Sequence, residues 1–430
     1  MIDKMAKLFM MAVMFCGLCT AVQANTTSVA LADGLPFANL IAQNDIAMPR
    51  EPFDDEVRIE AVPMPSASPD IAPAIPMPLP SSGIAPAGPV RIGLLLPLRS
   101  SMLGSAAAAV RDGFLAAHER EKQGVSIDVV ATDGTPSGTL AGYAGALARN
   151  DVVVGPLSRT EVAAVAQQAG AIGKPTIALA QPEAMGTTEA ARPLNMLAVG
   201  FSIEDEARQV ADWMYADGIT RKTFALSTGV AWQRRAVQAF DAQWRAMGRM
   251  TESIKLEVID GYLSPTSLVQ LKQRLQEEAP EAMFVALDAG LAAQLRLAIG
   301  GSVPIYGTSQ LNPLALLDWD RADNRTDMEG MRLLDMPWQL QPDHPAVMGY
   351  PRPAAADGQP YGADMARLYA LGIDAYRIAR AIAAHNTNFG LDGVTGKLTI
   401  SFGNRTNRFR RVEQQAVYEG GKVVPLNAAQ

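Results

Sequence analysis

The chain has 430 residues, with 37 basic and 44 acidic side chains and only two cysteines. This length is sufficient for roughly two or three domains of ordinary size. A net charge of −7 without a basic block argues against nucleic acid as a partner, because that binding depends on neutralising phosphates. Three histidines are too few for a histidine-built metal site, and we expect neither a metal nor a cofactor.

The amino terminus has the pattern of a secretory signal peptide. Lys4 and Lys7 precede an apolar run over residues 8–22, and small residues lead to a cleavage site after Ala24. The run is short for a membrane anchor, and no later segment offers the ~18 consecutive apolar residues of a transmembrane helix. We therefore predict that residues 1–24 are removed, that the protein is exported and that it has no transmembrane span.

Both cysteines, Cys16 and Cys19, fall inside the predicted signal peptide. The exported chain would then contain no cysteine, which excludes disulfides, thiol catalysis and cysteine-ligated zinc for it. A lipid anchor on one of these cysteines, in the outer membrane, is the alternative outcome. The residues before each cysteine match a lipoprotein signal poorly, so simple cleavage after Ala24 is favoured.

Residues 25–90 are predicted to form a disordered, proline-rich tether. Nine prolines and a single charge, Asp70, lie between Ala61 and Val90. Such a segment cannot form regular backbone ladders and samples extended polyproline conformations. A spacer without sequence-specific contacts is the favoured interpretation, with a docking motif as the alternative.

Strands and helices alternate from residue 91 onward. Residues 92–96 form a continuous apolar run, which is typical of a strand buried on both faces. Further strands are predicted at 125–131, 152–154, 176–179, 196–199, 223–227, 255–259, 282–287 and 303–306. The predicted helices between them cover 104–121, 140–149, 160–171, 232–247, 265–278 and 291–299, and another starts from a capping box at 202–205. This alternation predicts two doubly wound α/β lobes with parallel sheets.

The last hundred residues are predicted to return to both lobes. A short strand at 331–335 and a long helix at 363–384 are followed by an antiparallel hairpin of 396–402 and 408–418. We expect the bilobal domain to span 91–430. Its first lobe would comprise about 91–199 and 330–387, and its second about 200–329 and 388–430.

A ligand of such a protein would bind in the cleft where the carboxyl ends of the strands of both lobes converge. The residues predicted at these strand ends are Ser100, Ser101, Pro156, Leu157, Gln181, Thr228, Trp232, Asp288, Thr308, Ser309 and Gln310. For each single residue, a turn or helix-capping role is the more common alternative.

Several segments resemble a known family. They lie at residues 92–98, 153–157, 304–309, 327–330, 337–338, 367–376 and 393–398. The chain resembles the type I periplasmic-binding-protein fold and, more specifically, the LppC family of penicillin-binding protein activators. The resemblance implies a location in the Gram-negative periplasm, with outer-membrane association if lipidated. It also implies a class A penicillin-binding protein as partner, stimulated by contact in peptidoglycan synthesis.

Two other functions remain open from the sequence. One is a solute receptor of an ABC-type uptake system, holding an amino acid or related small molecule in the cleft. The other is a hydrolase in which Asp133 and Asp288 pair as acids, although no nucleotide-binding or nucleophile motif is present and catalysis is not expected.

The terminal hairpin also carries a group of arginines, Arg405, Arg408, Arg410 and Arg411. A strand edge protected by charge is the favoured interpretation, with a contact surface for an anionic partner as the alternative.

Overall fold

The computed structural model describes residues 89–169, 173–181, 193–315, 326–354, 361–403 and 407–426. The predicted signal peptide (1–24) and the predicted tether up to residue 88 lie outside these residues. Within the described part, no helix has both the length and the apolar character needed to cross a membrane.

The first lobe is built on a five-stranded parallel sheet. Its order is β2-β1-β3-β4-β5, and the helices α1 to α3 follow strands β1 to β3 along the chain. Leu94 in the central strand pairs with Val129 on one side and Val154 on the other, so the apolar run 92–96 is buried on both faces as predicted. The bounds are β1 (Val90–Leu96), α1 (Gly104–Arg120), β2 (Val125–Ala131), α2 (Pro136–Arg149), β3 (Val152–Val154), α3 (Arg159–Ala169), β4 (Thr176–Ala178) and β5 (Met196–Ala198).

The second lobe repeats this pattern. Its elements are α4 (Ile203–Ala216), β6 (Thr223–Ser227), α5 (Ala231–Ala246), β7 (Thr251–Lys255), β8 (Val258–Ile259), β9 (Tyr262–Leu263), α6 (Pro265–Glu278), β10 (Ala282–Val285), α7 (Ala289–Ile299), β11 (Ile305–Gly307) and β12 (Arg332–Asp335). The strands β7-β6-β10-β11-β12 are parallel neighbours in that order, which is the same 2-1-3-4-5 order as in the first sheet. The prediction of two doubly wound lobes is confirmed.

The carboxyl-terminal part of the chain contributes to both lobes. It contains α8 (Pro337–Leu340), α9 (Pro345–Met348), α10 (Ala363–Ala383), β13 (Asn388–Asp392), β14 (Lys397–Ser401), β15 (Arg408–Val412), β16 (Gln414–Glu419) and β17 (Lys422–Pro425). Strands β13, β14 and β15 form an antiparallel sheet, whereas β16 and β17 extend the second lobe's sheet beside β12. The predicted antiparallel pairing of 396–402 with the strand that begins at 408 is confirmed.

The predicted division between the lobes is wrong in two places. Arg332–Asp335 lies in the second sheet, because this lobe needs its own fifth strand to complete the 2-1-3-4-5 order. The sheet of β13 to β15 packs on the first lobe, where Leu398 and Ile400 share a core with Ile92. The predicted strand 408–418 is divided at Glu413, where the chain passes from the first lobe to the second.

One further strand is shifted from its prediction. The sequence predicts a strand at 255–259, but β7 ends at Lys255 and 258–259 begin the short hairpin of β8 and β9. Strand β7 is the outer strand of its sheet, so about half of its residues are solvent-exposed and no continuous apolar run marks it.

Two glycines allow the helices of the first lobe to pack closely. A Cβ atom on Gly113 of α1 would lie 1.9 Å from the carbonyl oxygen of Tyr369, and one on Gly372 of α10 would lie 2.1 Å from that of Val110. The two helices are therefore in near backbone contact. This contact positions α10, whose polar side chains reach the junction between the lobes.

Candidate functional site at the junction of the lobes

The chain passes between the lobes after Val199, after Asp335 and at Glu413. Ionisable side chains from both lobes gather at these passages, and we call this group the junction cluster. It consists of Glu206 from α4, Asp335 from the end of β12, Arg367 from α10, Arg411 from β15, and Glu413. The junction cluster therefore joins the two lobes by buried electrostatic contacts near the three passages of the chain.

The central contact of the cluster is a buried ion pair. Nη2 of Arg367 lies 2.7 Å from Oδ2 of Asp335, and the side chains are 1% and 0% exposed. Asn312 Nδ2 donates to the same Oδ2 at 2.7 Å, and the backbone N–H of Met336 donates to Oδ1 at 2.8 Å. The Asp335 carboxylate therefore has the additional donors that a buried charge requires.

Glu206 joins the second lobe to this pair. Its Oε2 accepts the backbone N–H of Ser309 at 2.8 Å, and the residue is 4% exposed. Burial raises the pKa of Glu206 to about 7, and the charge of Asp335 also raises it, against the lowering effects of the Ser309 hydrogen bonds and Arg367. Glu206 therefore titrates near neutral pH.

Glu413 is the third buried carboxyl group. Burial raises its pKa well above its usual value, and the nearby Glu206 charge raises it further. Its Oε2 finds no hydrogen-bond partner among the residues that the structure describes, which favours the neutral form. Glu206 and Glu413 are therefore the two carboxyl groups of the cluster whose neutral forms burial favours.

Arg411 connects the passage after Val199 with the passage at Glu413. Its Nη2 donates to the carbonyl of Val199 at 2.8 Å, and its Nε donates to Thr395 Oγ1 at 3.0 Å. Its guanidinium lies over the rings of Phe201 and Phe409, 4.6 and 5.0 Å from their centroids. The predicted arginine group is thus divided: Arg411 points inward, Arg408 and Arg410 are exposed, and Arg405 lies outside the described residues.

Asp374 of α10 is a buried acid that holds the loop before β14. Asp374 is 1% exposed and accepts the backbone N–H groups of Val394 and Thr395 at 3.1 and 2.8 Å, and the Thr395 hydroxyl at 2.7 Å. These contacts join the sequence segments 367–376 and 393–398. The sequence-based interpretation missed this role, although Arg367 and Asp374 lie among apolar residues in the buried part of this helix.

The first lobe's predicted cleft residues lie at the carboxyl ends of its strands. Ser100 and Ser101 follow β1, Pro156 and Leu157 follow β3, and Gln181 follows β4. Ser101 is exposed, Ser100 and Gln181 are partly exposed, and Pro156 and Leu157 are buried. Ser100 Oγ accepts the backbone N–H of Leu103 at 3.2 Å, which is a turn contact of the alternative kind.

In the second lobe, most predicted cleft residues take part in local contacts. Thr228 donates from its backbone and hydroxyl to Gln233 Oε1 after β6, and Thr308 Oγ1 caps the 3-10 turn that begins at Ser309. Trp232 is 4% exposed and belongs to the lobe's core. Gln310 is also buried, and only Ser309 joins the junction cluster, through Glu206 and Arg367. Contact of these residues with a ligand stays a prediction.

The two acids of the hydrolase alternative each have a local partner. Asp288 accepts the backbone N–H of Leu291 at 2.9 Å and caps α7. Asp133 accepts the backbone N–H and hydroxyl of Thr135 at 2.9 and 2.8 Å, and these bonds lower its pKa. A general acid needs a raised pKa, so Asp133 is poorly suited to that role.

Two further features of the described part bear on ligand binding. No group of three or more His, Cys, Asp or Glu side chains is placed there to hold a metal ion. A surface pocket is lined by residues 220–222 and 248–252, at the amino-terminal ends of β6 and β7. Ligands of parallel α/β sheets bind at the opposite, carboxyl ends, so this pocket is separate from the predicted cleft.

Two parallel sheets of the same order, joined by three passages of the chain, define the class of type I periplasmic-binding-protein-like folds. The sequence profile of the family described as "LppC putative lipoprotein" matches residues 84–415, and the chain belongs to this family. The match covers nearly the whole of both lobes. The fold and the family predicted from the sequence are confirmed.

Individual relatives support the same assignment. The chain is 28% identical over 348 residues to the penicillin-binding protein activator LpoA of Mannheimia succiniciproducens, covering 78% of this chain and 55% of that protein. The chain thus spans about half the length of the curated relatives it matches.

Two solved structures share the fold. One is the LpoA C-domain from Haemophilus influenzae, a regulator of PBP1A, with a TM-score of 0.60 and 21% identity over 78% of this chain and 100% of that chain. The other is a "putative branched-chain amino acid ABC transporter" from Chromobacterium violaceum, with a TM-score of 0.60 and 34% identity over 76% of this chain and 99% of that one.

Proposed function

We propose that this protein is a non-catalytic regulator in the Gram-negative envelope that activates a class A penicillin-binding protein by direct contact. Family membership over residues 84–415 carries the proposal, since curated relatives that match the same lobes are named penicillin-binding protein activators. The predicted signal peptide supports an envelope location, where such a synthase has its catalytic domains.

The contacts within the lobes are consistent with this role. Asp288, Thr228 and Thr308 direct polar groups to their own helix or turn ends rather than to an arrangement that could perform catalysis. The junction cluster ties the lobes together with a buried ion pair and with Arg411 across two passages. We infer that the two lobes present a defined surface to the partner, which lowers the entropic cost of docking.

Reconstitution with the class A synthase of the same organism tests the proposal. The chain without residues 1–24 is added to the purified synthase with lipid-linked disaccharide-peptide substrate, and glycan polymerisation and peptide crosslinking are followed separately. An increase in either rate, saturating with the amount of bound protein, is expected. An exported solute-binding protein of the same fold serves as the control, and equal rates with both proteins would refute activation.

A second candidate function is solute binding in the cleft. The 34% identity to the Chromobacterium violaceum protein favours it. The strand end at 178–180 counts against it, because Ala178, Leu179 and Ala180 supply no hydroxyl for a substrate carboxylate or amine. A thermal-shift screen with amino acids distinguishes the two functions, since a solute receptor is stabilised by its ligand and an activator without a ligand is not.

A further inference from the structure

The antiparallel sheet of β13 to β15 has two chemically different faces. Leu398, Ile400 and Phe409 point toward the core of the first lobe. The alternate residues point outward, as the twofold alternation of strands requires. Those assigned to the outward side are Asn388, Gly390, Asp392, Lys397, Thr399, Ser401, Arg408, Arg410 and Val412.

Three cations on this outward side form what we call the basic face: Lys397, Arg408 and Arg410. All three side chains are exposed, and none of them has an ion-pair or hydrogen-bond partner among the residues that the structure describes. Arg408 and Arg410 are two positions apart on one strand, about 7 Å along it. Lys397 lies on the neighbouring strand, opposite Val412.

Asp392, the acid on the outward side of this sheet, does not neutralise the charges of Arg408 and Arg410. Asp392 is opposite Lys397 in the register, and its carboxylate lies 3.8 Å from His344 Nε2. Arg408 and Arg410 instead lie opposite Ser401 and Thr399, which are neutral. The centre of the basic face therefore has positive charge flanked by hydroxyl groups.

Protection of a strand edge is one explanation of these charges, since β15 is the outer strand of its three-stranded sheet. The chain just before β15 is nevertheless held beside β5, where Asn407 Nδ2 donates to the carbonyls of Leu194 and Met196 at 2.8 Å each. Arg411 of the same strand bonds Val199 from the inner side. These contacts hold β15 against the region of β5, so the exposed cations have a role available to them besides edge protection.

We propose that the basic face is the surface on which an acidic region of the partner synthase docks; this inference rests on the proposed function. The whole chain carries a net charge of −7, so its overall field repels an acidic partner and a local group of cations such as this face is a favourable place for such a partner to dock. Such an arrangement selects one docking orientation and accelerates association. Three cations on two neighbouring strands, with the hydroxyl groups of Thr399 and Ser401 between them, fit the carboxylates of a protein surface.

A membrane surface fits the basic face less well. Lipid recognition by charge uses clusters of about four to eight basic residues, and interfacial binding adds exposed aromatic or long apolar side chains. Among the outward residues named for this sheet, Val412 is the one with an apolar side chain, and it is 39% exposed. An acidic protein is therefore the occupant that the composition of the face favours.

Charge reversal tests the proposal in the full exported chain. The variant Lys397→Glu/Arg408→Glu/Arg410→Glu is compared with Arg234→Glu/Lys272→Glu/Lys422→Glu, which changes the net charge equally at exposed cations of the second lobe. Binding to the detergent-solubilised synthase is measured at low and at physiological ionic strength. We expect the first variant to bind about tenfold or more weakly, mainly through a slower association that salt no longer slows, because added salt screens repulsion instead of attraction. The control variant should stay within about twofold of the wild type.

The outcomes separate this inference from the proposed function. If the wild type binds and activates the synthase and the reversed face does so equally well, the docking surface is wrong and the proposed function stands. If the wild type does not bind the synthase, both fall.

Two further arms complete the test. Binding of the wild type to phosphatidylglycerol vesicles that is lost in the face variant, with synthase binding unchanged, overturns the proposal in favour of a membrane. The neutral variant Lys397→Gln/Arg408→Gln/Arg410→Gln replaces the reversed one if circular dichroism shows the latter to be unfolded, and it should show a smaller weakening in the same direction.

Discussion

Replacing Arg367 by Met should strongly destabilise the junction between the lobes. The guanidinium is 1% exposed, lies 2.7 Å from Asp335 and 3.2 Å from Asp364, and donates to the carbonyl of Ser309. Met retains much of the apolar stem but leaves Asp335 without its counter-charge. Removing one partner of a buried ion pair costs about 3–5 kcal/mol, a large part of the ~5–15 kcal/mol by which proteins are stable.

Urea unfolding at mildly alkaline pH measures this loss. Tryptophan fluorescence follows Trp338 in the first lobe together with Trp213 and Trp244 in the second, and circular dichroism follows the backbone. Arg380→Met on the same helix is the matched control. Its pair with Glu121 is partly exposed, with the side chains 40% and 35% accessible, and its loss should cost less than about 1 kcal/mol.

The pH dependence of the variant gives an independent check. Without Arg367, which lowers the pKa of Glu206, that folded-state pKa should rise further, so the folded protein binds a proton that the unfolded protein releases. The deficit of Arg367→Met should therefore shrink on acidification toward about pH 5. A loss below about 1 kcal/mol, or one equal to that of Arg380→Met, would refute the account of the junction as a buried charge cluster.

Three further predictions concern stability. The pKa of Glu206 is raised to about 7 in the folded protein, so acidification favours the folded protein over the unfolded one. Between about pH 8 and pH 5 the wild type should gain about 1–3 kcal/mol of unfolding free energy relative to Glu206→Gln. Urea unfolding measures this gain, and parallel pH profiles of the two proteins would contradict it. Gly372→Ala should lower the free energy of unfolding by about 3 kcal/mol, because the added Cβ would lie 2.1 Å from the Val110 carbonyl oxygen. Gly362→Ala, which has open space around it, is the control and should cost far less when both variants are compared by thermal melting. Arg274 and Lys222 lower the pKa of partly exposed Glu278 to about 2, so the stabilisation lost in Glu278→Gln should be present above about pH 4.5 and fade toward pH 2. The stabilisation should also vanish at about 1 M salt, and a difference in melting temperature that does not depend on salt would contradict a screened surface network.

Local sequence patterns were sufficient for the elements and their class. The apolar run 92–96 predicts a strand buried on both faces, and Leu94 has strand neighbours on each side. Ser202 at the start of α4 accepts the backbone N–H of Asp205 at 3.1 Å, as the capping box predicts. These features depend on residues within a few positions of one another, so their physics can be evaluated from the sequence alone.

The candidate site could be predicted only in part. Ser309 was identified from its position after β11, and it does lie at the junction. Its partner Glu206 is 103 residues away in the sequence, and Arg367 is 32 residues from Asp335. No periodicity records contacts over such separations, and the one local signal is a charged residue with apolar neighbours on the same part of a helix.

By itself, the sequence determined an acidic chain with alternating strands and helices, two similar lobes and the features of the LppC family. The tertiary structure decided which sheet receives Arg332–Asp335, which lobe carries the sheet of β13 to β15, and which arginines of β15 face solvent. The physical reason is that strand propensity is local, whereas the neighbour a strand pairs with and the burial of its faces depend on the rest of the fold. Arg410 and Arg411 are adjacent in the sequence, yet Arg410 is exposed and Arg411 joins the two lobes.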